Sequence, residues 1–307
     1  RYYYSLKALY NIEFFKEYSE YIKPYIISAN GRAKKALIFD CDNTLWKGIL
    51  GEDGFDGIKM SGETGDGAIF SEIQDIALYL NKQGILIGLC SRNNPEDVNE
   101  VINFHPNMKI KEKYIAINKS NWRDKVTNLR QIADELNIGL DSIVFVDDSP
   151  FETNYIRESL PEITVLQVPV KLYEYPKMLR KNLGLFYNLN LTKEDKNKVE
   201  IYKQQIYRKN AKRGFFNIGE YLASLRLKLT ISENDKSIIP RISQMSQKTN
   251  QFNLTTKRYT ETDIKNFINS SKVFCFSVSD KFGDSGVTGL CIVNLKGKIA
   301  DIDTFLI

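Results

Sequence analysis

The sequence predicts a doubly wound α/β domain on a parallel sheet, followed by a smaller α+β domain with antiparallel strands. Three observations predict it. Strand-like apolar runs at Ala36–Asp40, Ile85–Cys90, Tyr114–Ile117, Ile143–Asp147 and Ile163–Val168 alternate with helical patterns, and that alternation builds a parallel sheet. Beyond Leu225 the character changes to short strand runs separated by turn signals. The chain of 307 residues is long enough for two domains of roughly 150 residues each.

Taken in order, residues 1–33 carry Tyr, Phe and Ile at helical spacing and read as a helical lead-in. Residues 34–170 form the first domain. Within it, Ile69, Phe70, Ile73, Ile76, Ala77 and Leu80 share one helix face. Asn94 followed by Pro95 reads as an N-cap and first-turn proline. Trp122, Val126, Leu129, Ala133 and Leu136 mark another amphipathic helix, with Ser120 as its expected cap. Trp46 to Gly67 is rich in glycine and reads as a flexible flap or hairpin without a large cap domain. Residues 171–213 read as a charged helical linker, with a helix start at Thr192-Lys193-Glu194-Asp195. Residues 214–307 form the second domain. Its expected strands are Leu225–Ile231, Phe252–Thr256, Val273–Val278, Val287–Leu295 and Ile299–Leu306, with one helix at Glu261–Asn269. Lys281–Gly286 and Lys296-Gly297-Lys298 are its hairpin turns. The polar run Gln247–Arg258 reads as a hydrogen-bonded network.

Composition narrows the function classes. Lys and Arg total 43 against 38 Asp and Glu, a mild +5 that suits phosphorylated substrates or an acidic partner and is no nucleic-acid signature. No apolar run is long enough to span a bilayer, so no membrane role is expected. The four cysteines are scattered without metal-ligand spacing, which points to a reduced, cytoplasmic setting. His105, the lone histidine, stands before Pro106 and reads as a turn residue.

The chemistry concentrates at strand ends. Asp40-x-Asp42-x-Thr44 follows the first apolar run, Ser91 follows the second, Lys125 opens a helix, and Asp147-Asp148-Ser149-Pro150-Phe151-Glu152 follows the fourth. Ligands of open α/β sheets bind at the carboxyl ends of strands. Two carboxylates so close repel unless a cation or proton separates them. Mg²⁺, a hard ion with oxygen ligands, is the simplest solution and usually accompanies a phosphate. Phosphoryl transfer needs little beyond positioning and charge compensation, which such a cation, Lys125 and the Ser91 hydroxyl supply.

These four pieces, in this order, resemble the haloacid dehalogenase-like (HAD) hydrolases over about residues 34–168. The resemblance implies Asp40 as the nucleophile that forms an aspartyl-phosphate and Asp42 as the acid–base partner. It implies Mg²⁺ on the Asp40 and Asp148 carboxylates and the Asp42 backbone carbonyl, with Asp147 and Glu152 supporting its waters. Ser91, Thr44 and Lys125 would bind the phosphoryl group. Arg92, Asn93 and Lys47 are candidates for other substrate oxygens.

The surrounding words are similar to a narrower, FkbH-like branch. They include Asp42-Asn43-Thr44-Leu45-Trp46, Cys90-Ser91-Arg92-Asn93-Asn94, Asn121-Trp122-Arg123-Asp124-Lys125, Gln247-Lys248-Thr249-Asn250-Gln251-Phe252-Asn253 and Asp301-Ile302-Asp303-Thr304-Phe305. Lys is more usual in that branch where Arg92 stands. The branch pairs a HAD domain with a GNAT-like acyltransferase domain, expected here to be truncated at its C-terminus. Its described members dephosphorylate 1,3-bisphosphoglycerate and load glyceryl onto an acyl carrier protein. The resemblance implies that activity and makes the carrier protein a candidate partner beside a phosphorylated small molecule. Cys90 is either an acyl way-station or a buried strand residue. The remaining alternatives are a simple phosphatase of a small phosphoester or phosphoprotein, and a non-enzymatic sensor of a phosphorylated ligand.

Overall fold

A computed structural model describes residues 10–63, 65–188, 204, 208, 211, 214–215, 217–248, 257–297 and 299–307. The chain divides into two compact units, Arg1–Leu191 and Thr192–Ile307.

The first unit opens with helix α1 (Ile12–Ala29), whose N-cap Asn11 accepts a hydrogen bond from the Phe14 amide. Strand β1 (Ala36–Phe39) is buried along its whole length. It lies at the centre of a five-stranded parallel sheet with β2 (Leu86–Ser91), β3 (Ile115–Ser120), β4 (Ile143–Asp147) and β5 (Thr164–Gln167), in the order β3-β2-β1-β4-β5. The chain winds outward from β1 through β2 and β3, then returns to the other side for β4 and β5. The switch therefore falls between β1 and β4, the place where open α/β sheets bind ligands at the carboxyl ends of their strands. Phe39 pairs with Val146 there, and the Asp40 amide extends the ladder to the Val146 carbonyl at 2.9 Å. Within the sheet Gly88 is sterically required. A Cβ there would stand 2.6 Å from Ile38 Cδ1 and 2.8 Å from Ile117 Cγ2.

Helices cover this sheet. In α3 (Gly65–Lys82) the predicted face is inward: Phe70, Ile73, Ile76, Ala77 and Leu80 are buried and Ile69 packs against them. Helix α4 (Pro95–Phe104) starts at Asn94–Pro95 as predicted, but the Asn94 side chain bonds Asp97 and Trp122 instead of capping. Helix α5 begins later than predicted, at Lys125, and ends at Leu136. Its cap is Asp124, whose carboxylate accepts from the Thr127 amide at 2.8 Å, so Ser120 stays in β3 and Trp122 lies outside the helix. An Asp so placed satisfies an otherwise orphaned helical donor. Helix α6 (Pro150–Ser159) is capped by Ser149, and α7 (Tyr175–Lys181) follows β5.

The glycine-rich segment is more ordered than a flexible flap. It contains α2 (Leu50–Gly57), kinked where Gly54 takes φ +72°, and Lys47 and Lys59 exchange two backbone hydrogen bonds of 2.9 Å. Gly48 and Gly54 use left-handed φ, whereas Gly51 and Gly57 are helical.

The second unit holds a four-stranded antiparallel sheet in the order β6-β7-β8-β9. Its strands are β6 (Lys228–Glu233), β7 (Lys272–Asp280), β8 (Gly283–Lys296) and β9 (Ile299–Leu306). Among the described residues of 214–307, three α-helices accompany them where one is predicted: α8 (Ile218–Leu225), α9 (Ile239–Lys248) and α10 (Glu261–Ser270). Ile239, Ile242 and Met245 of α9 and Ile264 and Ile268 of α10 form a core with Val273, Leu290, Ile292 and Leu306. Thr192–Asp195, Phe252–Thr256 and most of Gln247–Arg258 lie outside the described residues. Among the described residues no helix is long and apolar enough to cross a membrane.

Candidate active site

Four strand ends of the parallel sheet bring the polar residues together. Asp40 follows β1 directly and is 5% exposed. The chain then turns sharply. The Thr44 and Leu45 amides donate to the Cys41 carbonyl, and Asn43 adopts φ +49°, a left-handed position that Asn tolerates. The Asn43 side chain accepts from the Gly48 amide at 3.1 Å and closes the loop. This turn sets Asp42 at the rim. One of its oxygens, Oδ1, accepts from Trp46 Nε1 and the Leu50 amide, each at 3.0 Å. The other, Oδ2, accepts from Asn93 Nδ2 at 2.9 Å.

Ser91 ends β2 and is buried, with Asn93 Nδ2 3.1 Å from its hydroxyl. Lys125 is the first residue of α5 and is 4% exposed. Its ammonium lies 2.6 Å from Asp147 Oδ2 and 3.2 Å from Asp40 Oδ1. Asp147 ends β4, wholly buried, and its other oxygen accepts from the Ser149 amide at 2.9 Å. Asp148 is half-buried beside it.

Charge is only partly compensated here. Asp40, Asp147 and Asp148 each offer an oxygen within 4.8 Å of the others, and Lys125 is the cation among them. Burial drives the Asp40 carboxyl up to about 7, and repulsion from Asp147 adds to this, against the attraction of Lys125 and hydrogen bonds from Ser91 and the Cys41 amide. Burial and then Asp147 also raise Asp148. Burial alone would lower Lys125, but Asp40 and Asp147 outweigh it and hold the ammonium firmly charged. Like charges crowded in a dry pocket call for a further cation. The donor set, all carboxylate oxygen, fits a hard divalent ion. Glu152 adds to the fit: its Oε1 pairs with Arg92 at 3.1 Å, while its Oε2 is buried and lacks a hydrogen-bond partner.

The remaining predicted residues divide. Thr44 is buried with its hydroxyl unpartnered, and its carbonyl accepts from Tyr175 Oη at 3.1 Å. Arg92 is exposed, tied to Glu152. Lys47 sits on the flap opposite Lys59. Cys90 is fully buried, with its sulfur 3.9 Å from the Lys125 carbonyl, and burial pushes its thiol far above the usual range. Trp46 did not stand out as a site residue in the sequence. The available signal was chemical: a tryptophan beside an acid pair, whose indole N–H needs a partner once buried.

No family model matches the chain, and no curated protein matches it. Among solved structures, it is similar to the N-terminal part of the protein BF1531 from Bacteroides fragilis, which contains a phosphatase domain and is complexed with Mg. The identity is 36% and the TM-score 0.57, over 61% of this chain and 50% of that one. The chain thus matches about half the length of that structure.

Proposed function

We propose that the chain is a Mg²⁺-dependent phosphohydrolase that works through an aspartyl-phosphate. The observation that carries this is the buried, under-compensated group Asp40–Asp147–Asp148 with Lys125 at the switch point of the sheet. The likeness to a phosphatase domain complexed with Mg supports it. The Asp40 and Asp148 carboxylates and the Asp42 carbonyl would hold the ion, with Asp147 and Glu152 on its waters. Bound there, Mg²⁺ would offset the charge of the carboxylates and of the phosphoryl oxygens.

The chain's own residues would do the rest. An Asp40 oxygen attacks phosphorus, and the bond to the leaving oxygen breaks. Asp42 gives that oxygen a proton. Water then attacks the phosphorus of the aspartyl-phosphate while Asp42 takes a proton back, which releases phosphate and restores Asp40. Ser91 hydrogen-bonds the phosphoryl oxygens, Lys125 balances their charge, and Thr44 has a free buried hydroxyl to contribute. Arg92, Asn93 and Lys47 would hold other substrate oxygens. The substrate class is a phosphorylated small molecule.

A narrower reading is glyceryl transfer from 1,3-bisphosphoglycerate to an acyl carrier protein, with a GNAT-like second domain as in the FkbH-like branch. The exposed Trp122 and Phe151, which follow β3 and β4, favour a substrate presented on a protein. The buried, protonated thiol of Cys90 lends no support to an acyl group carried there. Four free cysteines suit a reducing, cytoplasmic setting. The test is phosphate release from acyl and aryl phosphates, with and without a holo carrier protein. Turnover lost in Asp40→Asn supports the enzyme. Turnover unchanged in that variant defeats it, and binding without turnover in the wild type favours a sensor. A mass gain on the carrier supports transfer.

A further inference from the structure

We infer that Trp46 is a positioning residue for phosphoryl transfer, which with the Leu50 amide and Asn93 clamps the Asp42 carboxylate in its working orientation. This rests on the reading of Asp42 as the acid–base group. The geometry is specific. Trp46 is fully buried, and its single polar atom is spent on Asp42 Oδ1 at 3.0 Å. The Leu50 amide, at the start of α2, holds the same oxygen at 3.0 Å. Two donors on one oxygen fix the plane of a carboxylate, because rotation about its Cβ–Cγ bond would break both bonds. The other oxygen then has one direction open to it, toward Asn93. The Asn93 amide nitrogen lies 2.9 Å from Asp42 Oδ2 and 3.1 Å from the Ser91 hydroxyl. Oδ2 is thereby turned to the side where Ser91 marks the phosphoryl group. Trp46 and Leu50 also belong to the segment after the Asp40–Asp42 turn, so the fold of the flap sets the orientation of Asp42.

A residue that acts only by aiming Asp42 affects the leaving group, not substrate binding. Aryl phosphates lose a stable phenolate and need little help from an acid, whereas alkyl phosphates need a delivered proton. The experiment compares first-turnover release of the alcohol from p-nitrophenyl phosphate and from glycerol phosphate, with Mg²⁺, in wild type, Trp46→Phe, Asn93→Ala and Asp42→Asn. In both clamp variants, at saturating substrate, alkyl release should fall roughly tenfold or more and aryl release by less than about threefold, and in Trp46→Phe KM should stay near wild type. A parallel fall on both substrates would mean a merely structural tryptophan and would overturn the clamp. Should Trp46→Phe not fold, Asn93→Ala decides alone, and an unselective or absent loss there overturns it too. Asp42→Asn separates the two ideas. A selective loss there beside unselective clamp variants sinks the clamp alone. No selective loss in Asp42→Asn itself removes the acid role and the clamp with it.

Discussion

One group of carboxylates in each unit is treated in the opposite way to the other. In the second unit, Asp280 and Asp303 are matched. Asp280 takes a bidentate pair from Arg208 at 2.6 and 2.9 Å, and the Phe282 and Gly283 amides complete its shell. Hydrogen bonds from Arg208 hold Asp280 below the usual carboxylate range, against some burial. Asp303 is likewise lowered: burial opposes this, but Lys257 and the Tyr259 hydroxyl outweigh it. In the first unit, three acids share one lysine, and Asp40 and Asp148 are driven up. Matched charges hold a fold together. Crowded, under-matched charges cost stability and persist where they do chemistry. The contrast separates a structural pairing from a candidate site.

The largest effect that could break the contrast is on turnover. Asp40→Asn should lower it by about 10³-fold or more, whereas Asp280→Asn should leave phosphate release unchanged and lower the unfolding temperature. Equal losses of activity would erase the distinction. Next in size is the lysine. Lys125→Met leaves Asp40 and Asp147 without their cation and should cost about 3–5 kcal/mol in denaturant unfolding without Mg²⁺, partly recovered when Mg²⁺ is added. Arg208→Met should cost about 1–3 kcal/mol, with no response to Mg²⁺.

Metal affinity sharpens the first unit further. Asp147 already satisfies Lys125 and the Ser149 amide, so Asp148→Ala should weaken Mg²⁺ binding more than Asp147→Ala in calorimetry. Equal affinities would refute that ranking. A smaller effect concerns pH. The folded-state value of Asp40, about 7, stands above its ordinary 3.8, so the folded protein binds the extra proton. The stability this gives is full below about pH 4 and lost as pH rises through 7. The metal-free melting temperature should therefore decline between pH 5 and 8, and Mg²⁺ should restore more of it at pH 8 than at pH 5. Asp280 has the opposite sign: its contribution is present above its ordinary 3.8 and lost only at lower pH, outside that window. The smallest effect is expected for Lys257→Met, because solvent screens the half-exposed ammonium and the Tyr259 and Thr304 hydroxyls still serve the partly buried Asp303, with a melting temperature close to wild type.

The site was legible because each piece is short and follows an apolar run: Asp40 and Asp42 after β1, Ser91 at the end of β2, Asp147 and Asp148 at the end of β4. The start of α5 was misplaced because Trp122 continues the apolar spacing of the helix, while Asp124 carries the local capping signal. Glycine content alone suggests a flexible flap, yet only Gly48 and Gly54 take left-handed φ there, while Gly51 and Gly57 are helical in α2 and Gly65 and Gly67 open α3. Helix α9 was missed because its buried positions include Ser243 and Ser246. Their hydroxyls bond to backbone carbonyls at 2.8 Å, to Tyr259 and Ser243 respectively, so apolar periodicity is diluted. The role of Trp46 depends on where its indole N–H points, which spacing does not encode.

Phosphate release from an acyl or aryl phosphate, followed before chelation, after it, and after Mg²⁺ is returned, bears on the whole site at once. Turnover that vanishes with the ion and comes back with it is the outcome expected of the Asp40–Asp147–Asp148 group. Hydrolysis that continues at the same rate in chelator would contradict it.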